Sequence, residues 1–413
     1  MIREEGRILV VDDSPVNRRL LVRALEEQGY GVRSAENGSQ ALELLRADTP
    51  QTFDVILLDI LMPVMDGYQT LAEIKGDPDL SHLPVIMISA LDEIDSVIRC
   101  VEMGATDYLP KPYNAALLRA RIGSSLERKR LRDQEKVYLK GLERELEIGR
   151  EIQSSFLPPH LPQPPGWEIA VRFQAARQVA GDFYDVFRLD ADGGLGLVVA
   201  DVCDKGVGAA LFMALFRTLL RALALGGLSS DGQPPRSLPA GTGPAGEAEP
   251  VGRAAVVRNA VLRTNQYIAQ THAEANMFAT LVFAALDPSS GELTYVNAGH
   301  EPPLVVGSSG VRARLASTGM AVGILPEVDF GVASYRLEPG DILLAFTDGV
   351  PDAISPTGDR FGRERILSLL AAPPASAAEL LERIHHSLLA HMGDAAPFDD
   401  VTMLAVRFGG GTS

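Results

Sequence analysis

Cysteine is scarce in this chain, since Cys100 and Cys203 are the only two among 413 residues. Two cysteines cannot build a disulfide framework or a cysteine-based zinc site. The pattern of a secretory leader, a charged segment followed by an apolar one, is also missing before the first predicted strand. We therefore expect a protein of a reducing compartment, the cytoplasm.

Basic residues are outnumbered as well. The 38 Lys and Arg stand against 54 Asp and Glu, which gives a formal net charge of -16. A surface that binds nucleic acid or an anionic membrane shows clustered Lys and Arg. Such residues concentrate only around positions 119–140, and no basic recognition helix of a DNA-binding regulator is evident. We expect neither a nucleic-acid partner nor a membrane partner.

Long uninterrupted apolar runs are missing too. The longest helical apolar stretch starts at Leu211 and contains Arg217 and Arg221. It falls short of the roughly 20 predominantly apolar residues that a membrane helix needs, so a buried or half-buried helix is expected. With 46% hydrophobic and 22% charged residues the composition is globular. The length predicts two domains and a connector.

From residue 7 to about residue 121, short apolar runs alternate with helix-period segments. This alternation predicts βαβ units on a parallel sheet. The nearly continuous apolar character of several runs predicts helices on both faces, and hence a doubly wound α/β domain over residues 1–123. The runs are ILVVDD, GVRSAE, DVILLD, LPVIMISA and DYLPKP.

Chemically active side chains stand at the ends of four of these strands. They are Asp12 and Asp13 after the first strand, Asp59 at the end of the third, Ser89 at the end of the fourth and Lys111 after the fifth. The carboxyl ends of parallel strands share one edge, so these groups should converge. Three carboxylates repel one another unless a hard cation such as Mg2+ joins them. The assembly predicts an aspartate nucleophile that forms an acyl phosphate.

Through VVDDS, LLDILMPVMDG, ISA and YLPKP, this region resembles a bacterial response-regulator receiver domain over its whole length. The resemblance implies a flavodoxin-like fold with a parallel five-stranded sheet. It makes Asp59 the phosphoacceptor, and Asp12, Asp13 and Asp59 the carboxylates that hold Mg2+. It also implies a cognate histidine kinase or another phosphodonor as partner.

The same resemblance assigns the remaining groups of the site. Ser89 becomes the hydroxyl that follows the phosphoryl group, Tyr108 the switching aromatic side chain, and Lys111 the cation that contacts the phosphoryl group. The bond between Lys111 and Pro112 is cis in that family, a conformation that is accessible mainly before proline.

Residues 124–157 contain many charges and almost no turn residue, which predicts a long helix. A narrow apolar seam suits a two-stranded coiled coil and therefore a homodimer. Gly141 and Gly149 weaken the helix, and a solvated connecting helix is the alternative. The proline-rich LPPHLPQPPG that follows ends the helix. The seam consists of Leu131, Tyr138, Leu142, Leu146 and Ile152.

Over residues 158–410, short strands joined by turns predict antiparallel sheets, with helices at 207–225 and 377–392. Residues 226–250, rich in Gly, Pro, Ser and Ala, predict a flexible insertion. Acidic residues end several apolar runs, and each one alone is typical of a strand-end turn. A pair of divalent cations on such oxygens could instead clamp a phosphate ester. These residues are Asp182, Asp201, Asp348, Asp399 and Asp400.

Together and in this order, the motifs from about residue 147 to 408 resemble the metal-dependent type-2C (PPM-type) serine/threonine phosphatases. The bacterial branch that controls stress and sporulation sigma factors is the most similar, through ELEIGREIQSSFLP, NAGHEPPLVV, GMAVGI and RFGRERI. The resemblance implies an α+β fold, an antiparallel β-sandwich flanked by helices. Its substrate would be a phosphoserine or phosphothreonine protein, by resemblance an anti-sigma-factor antagonist.

The metal site implied by this resemblance holds two Mn2+ or Mg2+ ions. Its ligands would be Asp182, Asp201, Asp348 and Asp399, together with the backbone carbonyl of Val202. Asp400 is a weaker candidate, placed behind the ligands rather than among them.

The general acid stays unassigned. Eukaryotic members carry a histidine just after the second metal aspartate, whereas this chain reads Cys203, Asp204 and Lys205. His300 is a candidate substitute, although a lone histidine at a strand end is more often structural. The adjacent pair at 385–386 cannot face one way on a helix, and Trp167 is expected in the core.

These features together predict a response regulator whose phosphorylation controls a phosphatase. The alternative is a catalytically weak, phosphatase-like module that sequesters a regulator or a sigma factor. Such a module is expected to lose metal carboxylates, and all four are present, which favours catalysis.

Overall fold

A computed structural model describes residues 6–47, 53–89, 94–112, 114–189, 193–226, 252–372, 374–395 and 397–410. The predicted insertion at 226–250 lies outside the described residues except for Gly226, which ends a helix. The chain forms two compact units, Met1–Glu143 and Arg144–Ser413.

Strands and helices alternate along the first unit: β1 (Arg7–Val11), α1 (Pro15–Glu26), β2 (Gly31–Ala35), α2 (Gly38–Ala47), β3 (Val55–Asp59), α3 (Gly67–Gly76), β4 (Val85–Ser89), α4 (Ile94–Glu102) and β5 (Asp107–Pro110). The strands form one parallel sheet in the order β2-β1-β3-β4-β5. Every residue of β3 and β4 is buried, because apolar clusters lie on both faces. The predicted doubly wound receiver fold is confirmed.

One helix, α5 (Ala115–Phe156), contains most of the predicted linker. It begins before residue 124, because its first turns pack on the receiver sheet through Leu118, Ile122 and Leu126. Gly141 and Gly149 lie within the continuous helix. Most of the predicted seam is exposed, at Leu131, Tyr138, Leu142 and Ile152.

The second unit contains the other elements: β6 (Trp167–Gln174), β7 (Phe183–Arg188), β8 (Leu195–Val202), α6 (Val207–Gly226), α7 (Arg253–Thr271), β9 (Ala279–Leu286), β10 (Glu292–Ala298), β11 (Leu304–Gly307), β12 (Gly310–Arg314), β13 (Ala333–Arg336), β14 (Ile342–Phe346), α8 (Arg363–Leu369), α9 (Ala377–Met392) and β15 (Val401–Phe408). A short 3-10 turn (Ala273–Ala275) precedes β9.

Two five-stranded sheets organise this unit, in the orders β13-β10-β9-β8-β7 and β12-β11-β14-β15-β6. All their strand pairs are antiparallel. Their inner faces share one apolar cluster, in which Leu197 and Leu343 take part. Helices α6 and α7 cover one outer face, and α8 and α9 cover the other. The predicted α+β sandwich flanked by helices is confirmed.

By length and composition, α6 is the one helix within the described ranges that could cross a membrane, so the expectation that this stretch is too short was wrong on those two criteria. In the fold it packs a stripe that includes Met213 and Phe216 into the core of the second unit. Its two arginines, Arg217 and Arg221, both pair with buried Asp185 of β7, at 3.2 and 3.1 Å.

Candidate phosphoacceptor and metal-binding sites

Asp59 ends the buried strand β3 and is itself buried. Lys111, which follows β5, donates from Nζ to Asp59 Oδ2 at 2.7 Å and to Asp12 Oδ2 at 2.9 Å. A carboxylate can interrupt an apolar strand when a cation pairs with it at the strand end. The carboxyl edge of the sheet therefore brings these three residues together as the sequence predicted.

The carboxylates of Asp12, Asp13 and Asp59 have ligand oxygens that all lie within 4.8 Å of one another. Burial raises the pKa of Asp59, Lys111 opposes the rise, and Asp12 adds to it. Burial alone would lower the pKa of Lys111, but its hydrogen bonds to Asp59 and Asp12 outweigh burial and raise it. Closely spaced, hard oxygen donors of this kind fit one Mg2+ ion.

The chain beside Asp59 is fixed by its local sequence. A Cβ on Gly67 would lie 2.3 Å from the carbonyl oxygen of Asp59, so only glycine fits there. Asp66 caps α3 by accepting from the backbone N–H of Gln69 at 2.8 Å, and the Gln69 side chain accepts from the backbone N–H of Asp66 at 3.2 Å. This capping box holds the turn after β3.

Ser89 and Tyr108 occupy the neighbouring strands. Ser89 is buried at the end of β4, and its carbonyl accepts from the backbone N–H of Lys111 at 2.7 Å. Tyr108 lies half-buried in β5. The Lys111–Pro112 peptide bond is cis, as the resemblance implied.

In the second unit, Asp182 is buried beneath two hydroxyl groups. Thr347 Oγ1 and Thr402 Oγ1 donate to Asp182 Oδ2 at 2.7 and 2.6 Å. Burial, together with Asp201 and Asp400, raises the pKa of Asp182 well above its ordinary value. The two threonines were not predicted, although each stands beside an acidic motif, in FTDG and DDVT.

Asp201 interacts electrostatically with Asp182 and with the other carboxylates. Burial, followed by the charges of Asp348 and Asp399, raises the pKa of Asp201 to about 7. Burial and Asp399 likewise raise the pKa of Asp348. The four predicted carboxylates therefore act on one another in the fold. Within the described residues, only the receiver cluster brings three ligand atoms within 4.8 Å, so this second set is more widely spread.

Asp399 is paired with a cation that the sequence left unassigned. Lys205 Nζ lies 2.8 Å from Asp399 Oδ2 and donates to the carbonyl of Phe398 at 2.7 Å. The same ammonium group lies 4.3 Å from the centroid of the Phe398 ring. Lys205 therefore stands at the edge of the acidic cluster.

Asp400 holds backbone instead of facing the cluster. Its Oδ1 accepts from the N–H of Ala176 at 2.7 Å, and its Oδ2 accepts from the N–H of Gly181 at 2.8 Å. Both oxygens are thus occupied by the segment that leads to Asp182, which matches a supporting position.

The carbonyl of Val202 lies against Gly181. A Cβ on Gly181 would lie 2.8 Å from Val202 O and 3.5 Å from Asp204 O. The glycine in the AGDFYD motif therefore allows the end of β8 to approach the residue before Asp182.

Gln153, near the end of α5, holds the same segment from another side. Its buried side chain donates to Ala180 O at 2.6 Å and accepts from Ala180 N at 2.9 Å. Gln163 makes a similar pair of bonds with Ile169, at 2.7 and 2.9 Å. Sequence reasoning missed Gln153 because a polar residue on a charged helix carries no sign of burial.

The histidines at 300, 385 and 386 occupy different environments. His300 is buried, its Nδ1 lies 2.8 Å from Thr280 Oγ1, and burial lowers its pKa to about 4. His385 is buried and His386 exposed, so the adjacent pair does not converge. Trp167 is buried as predicted and stacks on Phe408 with ring centroids 4.4 Å apart.

Comparison with known families assigns both units. Residues 191–409 match the family model of stage II sporulation protein E (SpoIIE), and residues 8–123 match that of the response regulator receiver domain. Protein IcfG of Synechocystis is 45% identical over 265 residues, which cover 63% of this chain and 41% of IcfG. The chain thus spans about two fifths of that relative's length.

Two further proteins are similar to parts of this chain. The response regulator PleD of Caulobacter vibrioides is 44% identical over 119 residues, 29% of this chain and 26% of PleD. The SiaA-PP2C domain of Pseudomonas aeruginosa shares the fold, with a TM-score of 0.51 and 21% identity over 66% of this chain and 98% of that domain.

Proposed function

Because this chain belongs to the SpoIIE family of PP2C-type metal-dependent phosphatases and carries a receiver domain ahead of that domain, we propose that it is a phosphorylation-controlled protein phosphatase. Its output would be the dephosphorylation of phosphoserine or phosphothreonine on a protein. The observation that carries the proposal is the set of interacting acidic side chains around Asp182 and Asp201, whose pKa values are raised first by burial and then by neighbouring negative charge.

Two sets of carboxylates fit divalent cations by their donor chemistry. Asp12, Asp13 and Asp59 would hold Mg2+ in the receiver. Two Mn2+ or Mg2+ ions would bind the second set, and when bound they supply Lewis-acid activation of the phosphate ester and of the attacking water. That second set is Asp182, Asp201, Asp348, Asp399 and the carbonyl of Val202.

The chain's own residues have separate tasks in this proposal. Asp59 accepts the phosphoryl group, Lys111 contacts it, and Ser89 and Tyr108 respond to it. Thr347 and Thr402 fix the orientation of the Asp182 carboxylate. Asp400 holds the backbone that carries Asp182. Thr347, Thr402 and Asp400 thereby fix the position of charged groups before the substrate binds. Such preorganised charge is usually the largest source of electrostatic stabilisation in enzymes.

The proposed partners follow from the two domains. A histidine kinase or another phosphodonor would phosphorylate Asp59, and the protein substrate would be an anti-sigma-factor antagonist. The exposed apolar seam of α5 supports a homodimer through a coiled coil. The composition supports a cytoplasmic location.

The test is Mn2+-dependent phosphate release from a phosphoserine protein by the full chain, with and without beryllofluoride as a mimic of phosphorylated Asp59. We expect the wild type to release phosphate at a rate that the mimic changes. Asp348→Asn should abolish this turnover, and the turnover of Asp59→Asn should no longer respond to the mimic. Asp79→Asn, which changes an exposed carboxylate of the receiver, is the matched control and should keep the response to the mimic. Turnover no higher than that of Asp348→Asn in both receiver states would favour the sequestering module instead.

A further inference from the structure

A cavity of about 490 Å³ lies in the second unit, away from the acidic cluster. The end of α5 and the prolines after it form one wall, and β7 and α6 form the other. Asp182 precedes β7, and the cavity is lined by the far end of that strand, from Val186 to Arg188. About 13 Å of extended strand therefore separates Asp182 from the nearest lining residue of β7. The cavity is therefore separate from the proposed catalytic site.

Positive charge dominates the lining although the chain as a whole is acidic. Arg188, Arg217 and Arg221 line the cavity, and so does the exposed His160. Asp185 is the buried partner of two of these arginines. Two guanidinium groups thus share one carboxylate and the third, Arg188, adds to them, which leaves an excess of positive charge among these side chains.

Several of these donors are unused. Arg188 forms no ion pair with any residue that the structure describes. The Nε of Arg217 is buried and has no hydrogen-bond partner among the described residues. That atom is closed to solvent, so an anion in the cavity would first meet the exposed guanidinium of Arg188. The unpaired Nε marks Arg217 as a side chain with unused hydrogen-bonding capacity beside it.

The other wall is apolar. Phe156, Leu157 and Pro158 line it, and the guanidinium of Arg221 lies 5.0 Å from the ring centroid of Phe187. The volume is in the range of sites for small molecules, about 300–1,000 Å³. An apolar wall opposite convergent guanidinium groups suits a ligand with an organic body and a phosphate group, because arginine is well matched to phosphate oxygens.

We propose that this cavity binds a small organic phosphate, with its phosphate on Arg188, Arg217 and Arg221 and its body against Phe156, Leu157 and Pro158. Such a ligand would join the end of α5 to β7, the strand that follows Asp182. The site would give the protein a chemical input independent of the phosphorylation of Asp59.

Calorimetric titration of the full chain with adenosine monophosphate tests the site, in EDTA so that bound metals cannot capture phosphate. The wild-type chain should bind this probe saturably, with a Kd below about 1 mM, and should not bind adenosine. Arg188→Glu should weaken binding at least tenfold, about 1.4 kcal/mol. Arg314→Glu, an equal charge change at an exposed position on β12, should leave binding unchanged.

Arg188 is exposed, so its substitution should leave the fold intact, and thermal unfolding of each variant checks this. The proposal is overturned by absence of saturable binding to the wild type. It is also overturned if Arg188→Glu binds as the wild type does, if both variants weaken binding equally, or if adenosine binds as tightly as the phosphate. None of these readouts depends on phosphatase activity.

Discussion

Gly181 leaves no room for a side chain beside the proposed metal site. Its absent Cβ would lie 2.8 Å from the carbonyl oxygen of Val202, and overpacking of this kind costs about 1–3 kcal/mol. We expect Gly181→Ala to push the end of β8 away from Asp182, and to weaken Mn2+ binding and phosphate release at least tenfold. Calorimetric Mn2+ titration and initial-rate measurements would detect both effects.

Gly208 provides the matched control, because a Cβ there meets nothing within 4 Å. Gly208→Ala should leave Mn2+ affinity unchanged, since alanine is favoured over glycine in a helix such as α6. Equal Mn2+ affinity in Gly181→Ala and the wild type would contradict the placement of the Val202 carbonyl at the site.

The raised pKa of Asp201 predicts a pH dependence of stability in metal-free protein. Its pKa is about 7 in the folded chain and 3.8 in an ordinary aspartate, so between these values the folded state keeps a proton that the unfolded state releases. This carboxyl group therefore lowers the free energy of unfolding as pH rises from about 4 to 7. In EDTA, Asp201→Asn should gain thermal stability relative to the wild type as pH increases from 5 to 8.

Thermal unfolding of both proteins across this pH range measures the difference. Mn2+ should stabilise the wild type more than the variant, because the cations offset the same negative charge. A difference in Tm that stays constant with pH would contradict the assigned titration.

For individual residues, the sequence predicted which functional side chains stand at the ends of strands, but it did not predict every partner with which they pair. Asp59, Asp12 and Lys111 meet because parallel strands share an edge, a rule that needs no coordinates. The ion pair between Lys205 and Asp399 depends on long-range folding, and no spacing in the chain signals it.

Helix α5 contacts the segment before Asp182 through the side chain of Gln153. Gln153 bonds both the N–H and the carbonyl of Ala180, two residues before Asp182. Gln153→Leu would leave these two buried backbone groups unpaired, at a cost of about 1–3 kcal/mol each. We expect a lower Tm together with at least a tenfold loss of Mn2+ affinity, measured by calorimetry.

Gln163→Leu removes a similar pair of bonds, to Ile169 on β6, and serves as the comparison. It should lower the Tm without a matching loss of Mn2+ affinity. Equal effects of the two variants on Mn2+ affinity would show that Gln153 contributes only general stability.

Elements with one dominant pattern were predictable and mixed ones were not. The receiver strands and helices α6 and α9 follow clear apolar periods. Helix α7 was missed because it follows the Gly- and Pro-rich segment and buries polar residues on its apolar face. One of these, Asn265, donates to Leu325 O and accepts from Gly323 N, both at 2.8 Å, contacts that only the tertiary fold supplies.

For the molecule as a whole, a continuous α5 gives the proposed receiver control a mechanical test. Inserting two residues after Leu139 turns the later part of the helix by about 200°, whereas seven residues leave it about 20° from its original phase. We expect the seven-residue insertion to keep the response to beryllofluoride and the two-residue insertion to lose it. Mn2+-dependent phosphate release without the mimic should persist in both.

The seven-residue variant separates helical phase from helix length. Full retention of the beryllofluoride response by both insertions would contradict a signal carried by the rotational phase of α5. Loss of the beryllofluoride response in both variants would indicate that the length of α5 matters, and would give no support to a signal carried by its rotational phase.

Trp167 has a consequence for observing the intact protein. It is the chain's single tryptophan, and it stacks on Phe408 where β6 pairs with β15. When tryptophan is excited selectively, the emission therefore comes from the second unit alone, and the receiver contributes none. The fluorescence of this one tryptophan can therefore report on the second unit while the receiver is being phosphorylated, and no dye has to be attached.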